Sequence, residues 1–173
     1  MNRALTGCLI VAGAVAAVVV LGIWFWFVRE LPVLDATFSV PSEVELGSTV
    51  ALVVETTNPH DEPVTLDSID IDNSFLAGFQ VVSTDPEPTE TRQVPLIDQC
   101  SWEFGKTVPP GESLAVTFEL KPVAEGHYWG SVDVCNPNQD FTGLFADVVV
   151  KKAGTPPAES KEGEGRAAEP DPR

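Results

Sequence analysis

Basic residues are scarce in this chain, with 10 Lys and Arg against 26 Asp and Glu and a formal net charge of −16. Residues 35–152 hold most of that imbalance, 20 acids against 5 bases, a net −15. A surface of this sign repels phosphate backbones, so direct nucleic-acid binding is excluded. Groups for acid–base chemistry are equally few, with 2 His and 1 Tyr. The sequence also lacks a Gly-x-Ser-x-Gly elbow, a His-Glu-x-x-His pair, a phosphate loop and a dinucleotide fingerprint. No cofactor is implied, and the chain is not expected to be an enzyme. Of the 3 Cys, none has His60 or His127 at ligand spacing, which removes a zinc site. Acceptors for N-linked glycans are missing too, since Asn73-Ser74-Phe75 and Asn138-Gln139-Asp140 both break the required pattern.

What the chain does have, first of all, is a long apolar run. Residues 4–28 carry no formal charge and are bounded by Arg3 and by Arg29-Glu30. As a helix they would span roughly 37 Å against a hydrocarbon core of about 30 Å, enough to cross with some tilt. Trp24 and Trp26 sit near the end of the run, where indoles favour the headgroup boundary. A cleaved signal peptide would need a short apolar region ending in small residues. Ala14-Val15-Ala16 has that composition, but the run continues well past it. Leu5-Thr6-Gly7-Cys8 has the letters of a lipidation motif but precedes the apolar region instead of following it, so Cys8 reads as a small residue of the helix. The expected topology is a cytoplasmic leader over 1–3, a single-pass helix over 4–28, a spacer over 29–34 and an extracytoplasmic domain over 35–152.

Beyond Val28 no helical period appears. Short segments rich in Val, Thr and aromatics alternate with turn residues, and strands are expected over 37–40, 48–57, 64–71, 75–82, 101–107, 113–121, 127–135 and 144–150. The clearest is 113–121, where Leu114, Val116, Phe118 and Leu120 alternate with Ala115, Thr117, Glu119 and Lys121. The polar stretch 83–93 reads as a loop. Seven to eight short strands in about 115 residues predict an all-β fold, an antiparallel immunoglobulin-like sandwich preceded by one transmembrane helix. Residues 153–173 are Pro, Glu, Gly and Ala without a large apolar side chain, a composition expected to stay disordered.

Four short motifs carry a family resemblance: Glu45-Leu46-Gly47-Ser48-Thr49-Val50, Thr57-Asn58-Pro59, Val108-Pro109-Pro110-Gly111-Glu112-Ser113 and Gly126-His127-Tyr128. From Val44 to Lys151 the chain resembles the bacterial and archaeal immunoglobulin-like modules of the CARDB and related adhesion-type groups. The resemblance implies the sandwich fold, in modules that serve as spacers, adhesins or docking surfaces. Gly126-His127-Tyr128 resembles a tyrosine corner, which implies a buried Tyr128 ring and a hydroxyl bonded to backbone. Gly130 stands where antibody-type domains place a cysteine, so this is not a domain of that type.

Candidate site residues follow from compartment and alternation. Cys100 and Cys135 are the cysteines outside the apolar run, and beyond a membrane such a pair is expected to oxidise, with two separate buried thiols as the alternative. Asp70 and Asp72 share a strand face, with Asp67 before them, and offer oxygen ligands to a hard cation, although no calcium-binding loop motif is present and a solvated acidic face accounts for them more simply. Trp129 and Phe145 fall on outward faces and are candidates to contact a partner, unless the 83–93 loop covers them. The sequence thus points to a membrane-tethered, extracytoplasmic binding or scaffold module for another protein. A calcium- or surface-glycan-binding domain and a structural accessory subunit of a membrane complex are the competing readings.

Overall fold

The computed structural model describes residues 33–138 and 140–154. The expected leader and helix over 1–28 and the tail from 155 onward lie outside the described residues. Among the described residues, no helix is long and apolar enough to cross a membrane.

Alternating apolar and polar residues produce ten strands among the described residues: β1 (Asp35–Ser39), β2 (Glu43–Glu45), β3 (Val50–Thr57), β4 (Val64–Asp72), β5 (Phe79–Asp85), β6 (Glu90–Val94), β7 (Gln99–Val108), β8 (Ser113–Pro122), β9 (Gly126–Cys135) and β10 (Phe141–Lys151). One helical turn, α1 (Asn73–Leu76), links β4 to β5. One sheet has the order β1-β3-β8-β5 and the other β2-β10-β9-β4-β7-β6. All neighbours run antiparallel except β2 and β10, which are parallel. The fold is an immunoglobulin-like β-sandwich with more strands than the seven or eight expected. Part of the excess lies in 83–93, expected as a loop: β5 runs on to Asp85, and β6 begins at Glu90. Glu90, Thr91, Arg92 and Gln93 are all exposed, so β6 has no apolar face to betray it. Held at the sheet edge by its ladder to β7, it needs none. The expected strand over 75–82 also starts late, because Phe75 belongs to α1 and is fully buried there.

The core lies between the sheets. Leu52 and Val54 of β3 and Val116, Phe118 and Leu120 of β8 are buried from one layer; Leu66, Ile69, Ile71, Trp102, Phe104, Val132 and Val134 are buried from the other. Trp102 and Phe104 both meet Phe118 edge-on, at ring-centroid distances of 5.3 and 6.5 Å. Burying each of these side chains stabilises by about 1.5–3 kcal/mol. Where Asp67 faces Phe104 and Gly105, the β4–β7 ladder shifts register, and Gly105 adopts a φ of 57°. The shift lets Leu66 and Ile69 both reach the core although they are three residues apart. From Ser68 onward the alternation sends Ser68, Asp70 and Asp72 to the outer face.

Tyr128 packs at the inner side of β9, edge-on to Phe79 at 5.9 Å, and its hydroxyl donates to the Glu125 carbonyl at 3.3 Å. The backbone contact expected of a tyrosine corner is present, but the ring is half-buried instead of fully enclosed. Gly78 makes room for it, since a Cβ there would fall 2.3–2.5 Å from three ring atoms.

Asp35 pairs with Thr57, which pairs in turn with Ser113 at the start of β8. At the far end of β8, the Pro122 carbonyl accepts from Gly47 N–H, and Leu46 N–H reaches the Lys151 carbonyl. The domain is therefore entered at one end of the sandwich and left at the other.

Candidate binding face

The outer face of the six-stranded sheet holds most of the candidate residues. On β10 the outward row is Phe141, Gly143, Phe145, Asp147 and Val149, standing opposite Cys135, Asp133, Ser131, Trp129 and His127 of β9. Asp70 of β4 lies between Asp133 of β9 and Ser101 of β7. Trp129, Phe145 and Phe141 are 52%, 60% and 59% exposed. The 83–93 segment, being committed to β5 and β6, does not cover them. Trp129 stands opposite Asp147 and diagonal to Phe145, close enough for large rings to share a patch. The Trp129 indole is tilted against the His127 ring at 5.4 Å, and His127 Nε2 lies 2.6 Å from Asp147 Oδ1. Neither His ring is bonded to a hydroxyl or thiol among the described residues: His60 Nε2 instead contacts the Val33 carbonyl at 2.9 Å.

Beside the rings lies a polar network that alternation alone did not reveal. The buried Gln99 amide donates to Asp72 Oδ1 at 3.1 Å, Ser131 Oγ at 2.9 Å and Asp133 Oδ2 at 2.8 Å. Ser131 donates its backbone N–H to Asp72 Oδ2 at 2.7 Å, and its hydroxyl lies 3.1 Å from both Asp72 Oδ1 and Asp133 Oδ2. Asp72 thus ties β4 to β9 and β7, with its oxygens occupied by protein donors. Asp67, the exposed residue of the register shift, stands apart from this cluster. Among the described residues, no group of three or more His, Cys, Asp or Glu is placed to hold a metal ion. The trio Asp67, Asp70 and Asp72 is therefore not a joint ligand set: the shift separates the first, and hydrogen bonds engage the third.

The expected disulfide does not form. Cys100 and Cys135 are both free thiols. Cys100 pairs with Ile71 and is buried in the core, whereas Cys135 pairs with Ser68 on the outer face. With β4 between them they are about 10 Å apart across the sheet, before a three-residue offset along it. A disulfide tolerates a Cα separation of at most about 7 Å, with both side chains turned to each other. Burial, with the Asp70 charge second, pushes the Cys135 thiol up to about 12 from an ordinary 9.0. The Cys100 thiol is raised by the same causes in the same order. Cys135 Sγ lies 3.6 Å from Asp70 Oδ2.

No protein-family model matches the chain, and no curated protein matches it in sequence. Solved structures similar to it include the cohesin module of a Clostridium perfringens family 33 glycoside hydrolase, at 11% identity and a TM-score of 0.46, over 70% of this chain and 99% of that one. The CARDB domain of a Pyrococcus furiosus protein, solved in complex with di-metal ions, is similar at 17% identity and a TM-score of 0.46, over 70% and 90% of the two chains.

Proposed function

We propose that the sandwich is a binding or scaffold module that engages another protein through the outer face of its six-stranded sheet. The observation that supports this reading is the exposed group of Trp129, Phe141 and Phe145 on neighbouring strands of one face. Single exposed apolar residues are ordinary, but large rings gathered on a rigid sheet mark a contact surface. Aromatic anchors of this kind dominate the energetics of protein interfaces. In the same reading residues 4–28 tether the module to a membrane, with the domain on the extracytoplasmic side.

Two experiments test these points. Replacing Trp129 and Phe145 together by Ala should abolish capture of a specific binder from detergent-solubilised membranes, without shifting the thermal midpoint. An unchanged set of captured proteins would remove the assignment of this face. Protease added to intact spheroplasts should digest the chain beyond Lys152, and protection until lysis would reverse the orientation.

A further inference from the structure

Gly143 of β10 stands opposite Asp133, with Phe141 and Phe145 two residues to either side on the same face. A Cβ at Gly143 would lie 3.3 Å from Asp133 Oδ1 and 3.6 Å from Phe141 Cε2. A carboxylate oxygen and an aromatic ring therefore meet over a stretch of backbone that has no side chain. Asp133 is held in place through its other oxygen, which accepts from Gln99 at 2.8 Å and Ser131 at 3.1 Å. One strand further in, Asp70 pairs with Asp133 on one side and Ser101 on the other. Asp70 Oδ1 and the hydroxyl of Ser101, itself 1% exposed, are buried without a hydrogen-bond partner. The nearest cation in the ladder, Arg92, is already engaged by Glu103 at 2.8 Å, and the His127 ring is bonded to Asp147 at 2.6 Å. What this face lacks is a positively charged, donor-rich group that is also at ease against aromatic rings.

We propose that the strip of exposed sheet at Gly143 receives an arginine side chain of the partner protein, its guanidinium paired with Asp133 and packed against the exposed Phe141. The proposal rests on the binding-module reading and names the chemistry of the partner. A guanidinium is planar, weakly hydrated and always charged, and it offers a fork of donors suited to carboxylates together with a face suited to rings. A lysine ammonium matches the charge without the plane. A sugar ring would stack on the aromatics but leave the carboxylates without a counter-charge. The net −15 of residues 35–152 adds long-range attraction for such a basic segment.

The test uses the full chain in a non-ionic detergent and a fluorescein-labelled ten-residue peptide alternating glycine and arginine, read by anisotropy at 50 and 300 mM NaCl. Matched peptides carry citrulline or lysine in place of arginine. The arginine peptide should bind at least tenfold more tightly than the citrulline peptide, and more weakly at the higher salt. Gly143→Thr sets the side chain of a good strand former against Asp133 Oδ1 and Phe141 and removes no charge, so it should weaken binding at least tenfold. Glu55→Gln, on the exposed face of β3 in the other sheet, should stay within twofold of wild type. If Gly143→Thr fails to fold, Asp133→Asn is the second variant, with the same tenfold loss expected. Wild-type affinity in Gly143→Thr would overturn the proposal, as would an equal loss in Glu55→Gln or salt-independent binding of chitotetraose in place of the peptide. Should the arginine peptide fail while Trp129- and Phe145-dependent capture of a membrane protein persists, the arginine assignment falls and the binding-module reading stands. Failure of both removes both.

Discussion

Gly78→Ala offers a sharp test of the packing at the end of the sandwich. Gly78 lies between α1 and β5; its carbonyl accepts from Val123 N–H at 2.9 Å, which pins the β8–β9 connection. An added methyl would sit 2.3, 2.4 and 2.5 Å from Cδ2, Cε2 and Cγ of Tyr128. Carbon atoms prefer separations of about 3.5–4.0 Å, so the ring would have to retreat by more than about 1 Å. Retreat is restricted. Phe79 stands edge-on at 5.9 Å, and the ring already passes close over Gly126, where a Cβ would lie 3.2 Å from Tyr128 Cζ. Overpacking of this kind costs about 1–3 kcal/mol. Displacing the hydroxyl from the Glu125 carbonyl adds about 0.5–1.5 kcal/mol. The expected loss is therefore about 2–4 kcal/mol, or roughly 8–16 °C at about 4 °C per kcal/mol for a domain of this size. Urea melts followed by the fluorescence of the buried Trp102 would measure it. In a Tyr128→Ala background the obstacle is gone, and Gly78→Ala should become neutral or stabilise by about 0.4–1 kcal/mol through the unfolded chain. The double-mutant cycle should thus return a coupling of about 2–5 kcal/mol. A wild-type midpoint for Gly78→Ala, or the same loss in both backgrounds, would show that the ring does not occupy this space.

Three further outcomes are expected. An alkylating reagent should modify both Cys100 and Cys135 in the denatured chain without any reductant, and protection that yields only to reduction would mean the two are bridged after all. Because the folded Cys135 thiol is raised from 9.0 to about 12, the unfolded state loses its proton first as pH rises. Stability should be unaffected below about pH 9 and decline between 9 and 12, and Cys135→Ala should remove that part of the decline in urea midpoints; identical pH profiles for the two proteins would refute it. Gln99→Ala strips one buried amide from three acceptors on Asp72, Ser131 and Asp133; it should cost about 1–3 kcal/mol by chemical denaturation, and a loss below 0.5 kcal/mol would mean that water replaces the amide freely.

Much of the fold was legible because a sandwich writes its two faces into the sequence. Leu114, Val116, Phe118 and Leu120 marked β8 to within a residue, and Val132 and Val134 marked β9. The features that escaped have no apolar period. β6 is an edge strand held by backbone ladder bonds, and β2 is three residues long. Phe75 looked like the start of a strand because burial in a helical turn and burial in a sheet ask for the same side chain. Trp129 and Phe145 were placed outward by alternation, and both are exposed. Phe141 and Gly143 went unread because β10 begins three residues before the expected start at Leu144. The cysteine pair misled for a different reason. Compartment and count say nothing about side-chain direction, and the ladders put Cys100 in the core and Cys135 on the outer surface.

The placement of the domain's two ends has a mechanical consequence. A pull applied between residues 34 and 152 would load β1 and β10 along their lengths. The bonds linking β1 to β3 and β10 to β9 lie across that direction. Such a load shears many ladder bonds together, whereas a pull on one end of a hairpin opens them one at a time. Resistance to shear is shared, so a load between these two ends meets many ladder bonds at once. A partner gripping the broad outer sheet would hold its purchase while that tension passed through.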